Sequence, residues 1–198
     1  MNSSQIDPLE YRFPDHDIEQ LILPRWSARA MSGDPLPQSE LLRIFEAARW
    51  APSRANKQGW YFLYAHRDTM DFDRFYALLD EGNQGWCNRA AVLVVILSRR
   101  STDDGRPIRV SAFDAGAAFE NLALQAKAMG LVVHPMAGFD VKRTRVELNI
   151  PDHYEVLVMV AIGHPGEIED LPAYQQSREF PNQRKPVSEI IHEGSFPS

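Results

Sequence analysis

Four short clusters in this 198-residue chain combine residue types that bind anions and flat polar rings. The first is Arg25-Trp26-Ser27-Ala28-Arg29, in which two guanidinium groups flank a hydroxyl group at alternate positions. In an extended segment Arg25, Ser27 and Arg29 point to the same side, and in a helix the two arginines still share a face. Together they can hold one phosphate through bidentate arginine bonds and a hydroxyl donor. The alternative is a solvated basic turn.

The second cluster spans residues 51–60, with the sequence Ala-Pro-Ser-Arg-Ala-Asn-Lys-Gln-Gly-Trp, between a predicted helix and a predicted strand. The carboxamides of Asn56 and Gln58 offer both a donor and an acceptor, which the edge of an amphoteric heterocycle requires. Ordinary turn chemistry, in which Asn and Ser satisfy their own backbone, explains the same composition. Both interpretations remain open for this turn.

The third cluster follows a short apolar run and reads His134-Pro135-Met136-Ala137-Gly138-Phe139-Asp140. Gly138 lets the backbone approach a flat ligand closely, and the N–H groups of Ala137 and Gly138 can donate to a ring nitrogen or oxygen. A plain strand-to-helix loop capped by Asp140 is the alternative.

The fourth cluster is Arg184-Lys185-Pro186, a basic stretch in an otherwise acidic tail. These residues either return to complete a phosphate site or stay solvated.

The sequence lacks the motifs of several other kinds of binding site and catalytic site. The chain has no GxGxxG, GxxxxGK[ST] or GxSxG motif, which argues against a Rossmann dinucleotide site, a P-loop and a hydrolase nucleophile elbow. Its six histidines occur singly, so no metal site is predicted. The single cysteine, Cys87, excludes an intramolecular disulfide and is interpreted as a small buried hydrophobe rather than a nucleophile.

Composition indicates an ordinary globular protein, with 44% apolar and 24% charged residues and a net charge of −6. That mild acidity argues against a nucleic-acid partner, whose binding surface would be basic. No apolar run approaches the roughly 18 residues of a membrane span. The acidic N-terminus does not resemble a secretory signal, so we expect a cytoplasmic protein with no membrane partner.

The elements that must position these clusters are helices and strands in irregular alternation. The patterns predict helices over 37–50, 69–79, 111–129 and 140–148, and strands over 61–65, 91–97, 131–134 and 155–162. The run 91–97 is continuously apolar, which predicts a central strand covered on both faces. The alternation favours an α+β or α/β layer structure with a mixed sheet over a doubly wound parallel sheet. We expect an N-terminal arm over 1–20 and one domain over 21–198, with a tail that wraps over it.

The helix 111–129 has the clearest boundaries. Ser111 with Asp114 approximates a capping box, and Gly130 stands where a C-cap glycine belongs. Its many alanines suit a buried position with close neighbours, and burial of such a helix often takes a second subunit.

Together, the order and spacing of the clusters resemble the nitroreductase family of FMN-dependent oxidoreductases, over about residues 24–192. The pieces that carry the resemblance are the opening Arg-x-Ser-x-Arg, the segment 46–53 with Asn56 and Gln58 after it, the Ala-Gly-Phe-Asp loop, and the final Arg-Lys-Pro. The resemblance implies an α+β fold with a mixed central sheet flanked by helices, a nitroreductase-like sandwich. It also implies an intertwined homodimer that binds FMN in the subunit interface.

The resemblance also implies roles for individual residues. The phosphate and ribityl chain of FMN would be held by Arg25, Ser27 and Arg29, with Arg184 or Lys185 from the tail. The partner subunit would contribute Pro52, Ser53 and Arg54. The isoalloxazine ring would lie near Asn56 and Gln58, with Asn83 at its pyrimidine edge and the N–H groups of Ala137 and Gly138 facing N5 and O4. Trp26 and Met136 complete the predicted cofactor-binding set.

No catalytic side chain is implied, because flavin N5 carries the chemistry. The implied activity is ping-pong hydride transfer from NADH or NADPH to a nitroaromatic, a quinone or a similar acceptor. Some family members carry an acid where Ala137 stands, so this chain lacks a negative charge beside the hydride-transfer edge. The alternatives are a specialised flavin dehydrogenase or dehalogenase of the same fold, a non-catalytic FMN carrier or sensor, and a scaffold domain.

Overall fold

A four-stranded sheet forms the centre of the protein in a computed structural model, which describes residues 6–197. The strands are β1 (Trp60–His66), β2 (Val92–Arg99), β3 (Val132–Met136) and β4 (Tyr154–Gly163). Their order is β1-β2-β4-β3, and each neighbouring pair is antiparallel. The α+β class and the helix-flanked central sheet are confirmed. Within residues 6–197 the sheet is wholly antiparallel rather than mixed. Strand β3 runs in the same direction as β2, but it pairs with β4, which runs in the opposite direction.

Strand β2 lies between two apolar layers, as its continuous apolar sequence predicts. Its side chains alternate between the two faces of the sheet. Val92, Val94 and Ile96 join one cluster of buried residues, while Leu93 and Val95 join the other. The strand therefore anchors both halves of the core.

Helices cover both faces of the sheet. One face carries α1 (Gln38–Arg49) and the long α4 (Ser111–Ala128), which pack against each other. The other carries α2 (Met70–Tyr76) and α3 (Glu81–Cys87). The remaining helices are α5 (Val141–Glu147), the short α6 (Ala173–Gln176) and four 3-10 turns at Pro8–Glu10, Arg54–Asn56, Ile168–Asp170 and Val187–Glu189. No helix in residues 6–197 is both long and apolar enough to cross a membrane.

Several predicted helix ends are confirmed by their hydrogen bonds. The hydroxyl of Thr69 accepts from the N–H of Phe72, and the carboxylate of Asp140 accepts from the N–H of Arg143. Gly130 adopts a left-handed φ of 75° directly after α4. The N–H of Leu131 donates to the carbonyl of Ala126 at 2.9 Å, which completes a Schellman ending.

The predicted capping box at the start of α4 is wrong. Val110 is the N-cap residue, and its side chain makes no capping bond. The buried carboxylate of Asp114 instead accepts from the N–H of Arg54 at 3.1 Å, in the turn between α1 and β1. Asp114 therefore ties α4 to a predicted site turn, and its negative charge also suits the first turn of a helix.

The N-terminal arm and the C-terminal tail lie against each other. The side-chain amide of Gln183 donates to the carbonyl of Phe13 at 3.2 Å, and the N–H of Val187 donates to the carboxylate of Asp15 at 2.7 Å. The first five residues of the predicted arm lie outside the described residues, and so does Ser198 at the end of the predicted domain. The tail thus packs on the arm as well as on the domain.

Candidate functional site

A polar pocket of about 380 Å³ lies between the arm, the segment after it, strand β3 and the tail. It brings together Trp26, Ser27, Arg29 and Arg184 of the predicted cofactor set. The other lining residues are Arg12, His134, Pro135, Arg178, Phe180 and Asn182. Four arginines in one small cavity make it suited to an anion.

Arg29 is fixed in this polar pocket by a buried carboxylate. Glu179 is 3% exposed, and its Oε1 atom accepts from the backbone N–H groups of Arg29 and Ala30 at 2.6 and 2.9 Å. Its Oε2 atom lies 3.4 Å from the guanidinium of Arg29. Glu179 therefore orients the Arg29 segment and balances one of the four arginines.

His134 lies on β3 and presents a neutral ring to the polar pocket. Its Nδ1 atom is 3.0 Å from the carbonyl of Ala28, and because a carbonyl only accepts, Nδ1 carries the proton. Burial and, to a smaller extent, the nearby Arg29 and Arg25 lower the pKa of His134 to about 4, while hydrogen bonds to the backbone of Ala28 and Ser27 oppose the shift. At neutral pH the histidine adds no charge to the pocket.

Arg25 and Lys185 do not line the polar pocket. Both line a neighbouring cleft that shares Arg12 and Arg184 with it. The Nε atom of Arg25 lies 3.6 Å from a carboxylate oxygen of Glu120 on α4. The alternate spacing of Arg25, Ser27 and Arg29 therefore does not place all three side chains in one cavity, because Glu120 offers Arg25 a partner elsewhere.

The loop after β3 carries a pair of available donors. Met136, the last residue of the strand, is buried, while Ala137 is exposed and Gly138 partly so. Within residues 6–197 the N–H groups of Ala137 and Gly138 donate to no protein acceptor. Since Pro135 lines the polar pocket and a strand rises about 3.3 Å per residue, these donors lie roughly 7–10 Å along the chain from it.

Gly138 is required by close packing against α3. A Cβ atom at this position would lie 2.0 Å from the Asp80 carboxylate and 2.7 Å from the Asn83 amide nitrogen. Asn83, predicted to contact the cofactor, donates from that nitrogen to the carbonyl of Gly138 at 2.9 Å. Asn83 therefore holds the donor loop in place, and its amide oxygen remains available.

The segment Pro52-Ser53-Arg54 lines a different, apolar cleft of about 590 Å³. The other lining residues of this apolar cleft are Pro107, Ile108, Arg109, Val110, Phe113 and Asp114. It shares no residue with the polar pocket. Within one chain, the two groups of predicted cofactor residues therefore lie in separate cavities.

The turn beside the apolar cleft has a constrained backbone. Ala55, Asn56 and Gln58 have φ values of 48°, 54° and 50°, in the left-handed region that side chains disfavour. The hydroxyl of Ser53 accepts from the N–H of Gln58 at 3.0 Å, and the amide of Gln58 donates to the carbonyl of Asn56 at 3.1 Å. Part of this polar composition thus serves the turn itself, while the Asn56 side chain is exposed.

Comparison with known proteins shows a match between this chain and one protein family. Residues 22–80 and 64–164 match the model of the Nitroreductase family. The chain belongs to the nitroreductase family. The matched ranges include the Arg25–Arg29 segment and the donor loop after β3, and they exclude Arg12 and the tail arginines.

The relatives of this nitroreductase-family chain cover much of its length. A solved structure described as an oxidoreductase containing FMN is 41% identical, has a TM-score of 0.90, and aligns over 94% of this chain and 96% of its own. An uncharacterized 15.4 kDa protein of Mycolicibacterium smegmatis is 33% identical over 63% of this chain and 84% of its own length. The NADH dehydrogenase of Thermus thermophilus is 28% identical over 92% of this chain and 98% of its own length.

The sequence analysis did not select two of the arginines that line the polar pocket, Arg12 and Arg178. Arg178 has no local signal, because it stands alone among ordinary neighbours, whereas His134 is the first residue of the third sequence cluster. Arg12 had a faint signal, since it is the only Lys or Arg in the first 24 residues and lies between Tyr11 and Phe13. A lone cation in an acidic arm suggests a specific contact.

Cys87 lies in the core, as its interpretation as a small hydrophobe predicts. It is fully buried, its sulfur is 4.0 Å from that of Met136, and burial raises the pKa of its thiol. A thiol with a raised pKa has little thiolate at neutral pH and is a poor nucleophile. Among the residues that the structure describes, no cluster of three or more His, Cys, Asp or Glu could hold a metal ion.

Proposed function

We propose that this protein is an FMN-dependent oxidoreductase that moves hydride from NADH or NADPH to a nitroaromatic, a quinone or a similar acceptor by a ping-pong mechanism. The observation that carries the proposal is the polar pocket, where Ser27, Arg29 and Arg184 converge from distant parts of the chain. The 41% identical relative described as an oxidoreductase containing FMN supports the choice of cofactor. We place the activity in the cytoplasm, where both nicotinamide donors are made.

The residues present fit FMN at both of its ends. A phosphate needs cationic and hydroxyl donors, and the polar pocket offers Ser27 and four arginines, of which only Arg29 pairs with an acid among the described residues, Glu179. The N5 and O4 atoms of the ring need hydrogen-bond donors, and the loop after β3 offers two available N–H groups. Ser27, Arg29 and Arg184 would hold the phosphate, and Ala137 and Gly138 would donate to the ring.

A bound FMN would supply the hydride transfer between the nicotinamide and the second substrate. The protein supplies binding, orientation and electrostatics. Asn83 and Asp80 hold the donor loop rigid against α3, which keeps its N–H groups aimed in one direction. The alanine at position 137 keeps the N–H donor without adding a negative charge next to the ring.

We further propose that two copies of the chain form each site. The apolar cleft with Pro52, Ser53 and Arg54 has to come from a second copy if it is to meet the polar pocket. Helix α4 connects the two regions, since Phe113 lines the apolar cleft and Glu120 pairs with Arg25. At 1.5 Å per residue these side chains lie about 10 Å apart on one exposed face. A twofold contact along that face brings the cleft of one copy towards the pocket of the other.

The test is to purify the protein, add FMN and record its visible spectrum. We expect a bound flavin spectrum, followed by steady-state oxidation of NADH or NADPH with a panel of quinones and nitro compounds. Parallel lines in double-reciprocal plots would support the ping-pong order. A colourless protein that ignores added FMN contradicts the proposal. A protein that binds FMN and oxidises neither donor is a carrier or sensor.

A further inference from the structure

Arg12 is a buried cation without an acidic partner. It is 8% exposed, and no Asp or Glu of residues 6–197 lies within salt-bridge distance of it. Its Nη1 atom donates to the carbonyls of Leu23 and Arg25 at 2.8 and 2.6 Å, and its Nε atom donates to the carbonyl of Asn182 at 3.2 Å. These three carbonyl dipoles stabilise the guanidinium but leave its full charge in place.

The surroundings of Arg12 make that charge unfavourable on its own. Burial, followed by repulsion from Arg184 and Arg25, lowers the pKa of Arg12. A buried charge is stable only when it is paired or bonded to a counter-ion. The arginine lines the polar pocket, and among the described residues its Nη2 atom donates to no protein acceptor. Two N–H donors therefore remain for a ligand in the pocket.

We infer that Arg12 binds the phosphate group of the cofactor, so that the N-terminal arm is a functional part of the site. This inference rests on the proposed function. A phosphate dianion would supply the negative charge that no Asp or Glu of residues 6–197 supplies to Arg12 and Arg184, since Glu179 pairs with Arg29 alone. Arg12 lies outside the segment that matches the family model, so this contact comes from the chain's own N-terminal arm.

The arm and the tail hold each other in the position that this contact needs. Asp15 accepts from the N–H of Val187, and Phe13 accepts from the side chain of Gln183, the residue before Arg184. Arg12 itself donates to Asn182. The same small set of bonds therefore places Arg12 and Arg184 on one side of the polar pocket.

The experiment compares binding of FMN with binding of riboflavin, which lacks the phosphate, by flavin fluorescence quenching. Arg12→Gln keeps an amide donor but removes the charge, and we expect it to weaken FMN binding about 10- to 100-fold, as for loss of a charged hydrogen bond. Riboflavin binding should change by less than about twofold. Arg12→Lys keeps the charge and should lose less FMN affinity than Arg12→Gln.

Two control variants separate the phosphate contact from other effects. Arg43→Gln removes one exposed charge on α1 and should leave the ratio of the two affinities unchanged. Asp15→Ala loosens the bond between arm and tail without touching the Arg12 charge. Because the arm–tail bonds position Arg12, Asp15→Ala should also weaken FMN binding more than riboflavin binding, but by less than Arg12→Gln. If Arg12→Gln weakens FMN and riboflavin equally, Arg12 is only structural and the inference is overturned.

Inorganic phosphate tests the same contact without flavin. Phosphate should raise the thermal midpoint of the wild-type protein, and raise that of Arg12→Gln much less. If the wild type binds no flavin but this Arg12-dependent shift is present, the proposed function fails and the anion contact stands. If FMN binds and both readouts are independent of Arg12, the proposed function stands and this inference fails.

Discussion

His134, which is hydrogen-bonded to a backbone carbonyl, should make the stability of the fold sensitive to acid. Its Nδ1–H donates to Ala28, and its ring contacts Trp86 at a centroid distance of 4.6 Å. Protonation of the other ring nitrogen would place a second positive charge beside Arg29 in a partly buried site. The folded state therefore disfavours the protonated form.

We predict that stability falls as the pH drops from about 6.5 to about 4, because the pKa of His134 is about 4 in the folded protein and 6.5 when exposed. The unfolded chain then binds a proton that the folded chain does not. Above pH 6.5 both states are neutral at this position and the contribution is constant. By linkage the loss is about 2 kcal/mol at pH 5. Urea denaturation at pH 7.5 and pH 5 measures it.

The matched control for this residue is His134→Asn, whose amide can still donate to the Ala28 carbonyl but does not titrate in this range. The difference in unfolding free energy between pH 7.5 and pH 5 should shrink by about 2 kcal/mol in the variant. Carboxylates that titrate in the same range contribute equally to both proteins. An identical pH dependence in the two would show that His134 is accessible to protons in the folded state.

Single residues also mark the limit of what the sequence predicts about the site. Ser27, Arg29 and Arg184 could be selected from local composition, and the structure brings them into one cavity. The sequence does not show that the Arg25 side chain points out of this cavity, because that side chain pairs with Glu120, some 95 positions away along the chain. For Arg12 the sequence offers only the weak signal of a lone cation in the arm, since its partners are carbonyls that the fold brings near.

At the scale of elements, the periodic segments were predictable and the short glycine-containing ones were not. The boundaries of α1, α4 and β2 follow from apolar spacing, proline and the glycine at 130. Helix α3 was missed because Gly82 and Gly85 lower its helix propensity. Its place is fixed by the Asp80 cap and by packing, since a Cβ at Gly85 would lie 2.5 Å from the hydroxyl of Tyr174.

The turn between α1 and β1 holds Ala55 in a left-handed conformation, which gives a prediction for this element. Ala55→Gly relieves a backbone strain of about 1–2 kcal/mol and loses about 0.4–1 kcal/mol through the freer unfolded chain. We expect a net gain in unfolding free energy of between about 0 and 1.6 kcal/mol. Chemical denaturation of the two proteins at neutral pH measures the difference.

The opposite sign is expected for the same substitution inside a helix. Ala47→Gly in α1 should lower stability by about 1 kcal/mol, since glycine has poor helix propensity. If Ala55→Gly is as harmful as Ala47→Gly, residue 55 does not hold a left-handed conformation in solution. The turn would then have to be reconsidered as a rigid support for Pro52–Arg54.

At the scale of the whole molecule, the exposed face of α4 is the surface along which we propose that two copies of the chain meet. Phe113 is 78% exposed there, and a Cβ atom added to Gly116 would meet no atom of residues 6–197 within 4 Å, apart from the backbone of α4 itself. Gly116 is therefore not required by packing within one chain. A glycine inside a helix reduces its stability. Close approach of the backbone of a second copy would explain why Gly116 stands on the exposed face of α4.

The substitution Gly116→Arg distinguishes an isolated chain from a homodimer that packs along α4, because it should stabilise the first and disrupt the second. In an isolated chain the substitution should stabilise α4 by about 0.7–1 kcal/mol through better helix propensity. In the proposed homodimer it places a charged side chain between two helices, so we expect dissociation towards monomers and weaker FMN binding. Sedimentation velocity gives the oligomeric state, and fluorescence quenching gives the affinity.

Val146→Arg is the matched control, because Val146 is 74% exposed on α5, away from the α4 face. It adds the same charge and should leave both the assembly and FMN binding unchanged. If Gly116→Arg stays dimeric with unaltered flavin affinity, the two copies do not meet along α4. The Pro52–Arg54 cleft would then have to reach the polar pocket by another contact, or serve a ligand of its own.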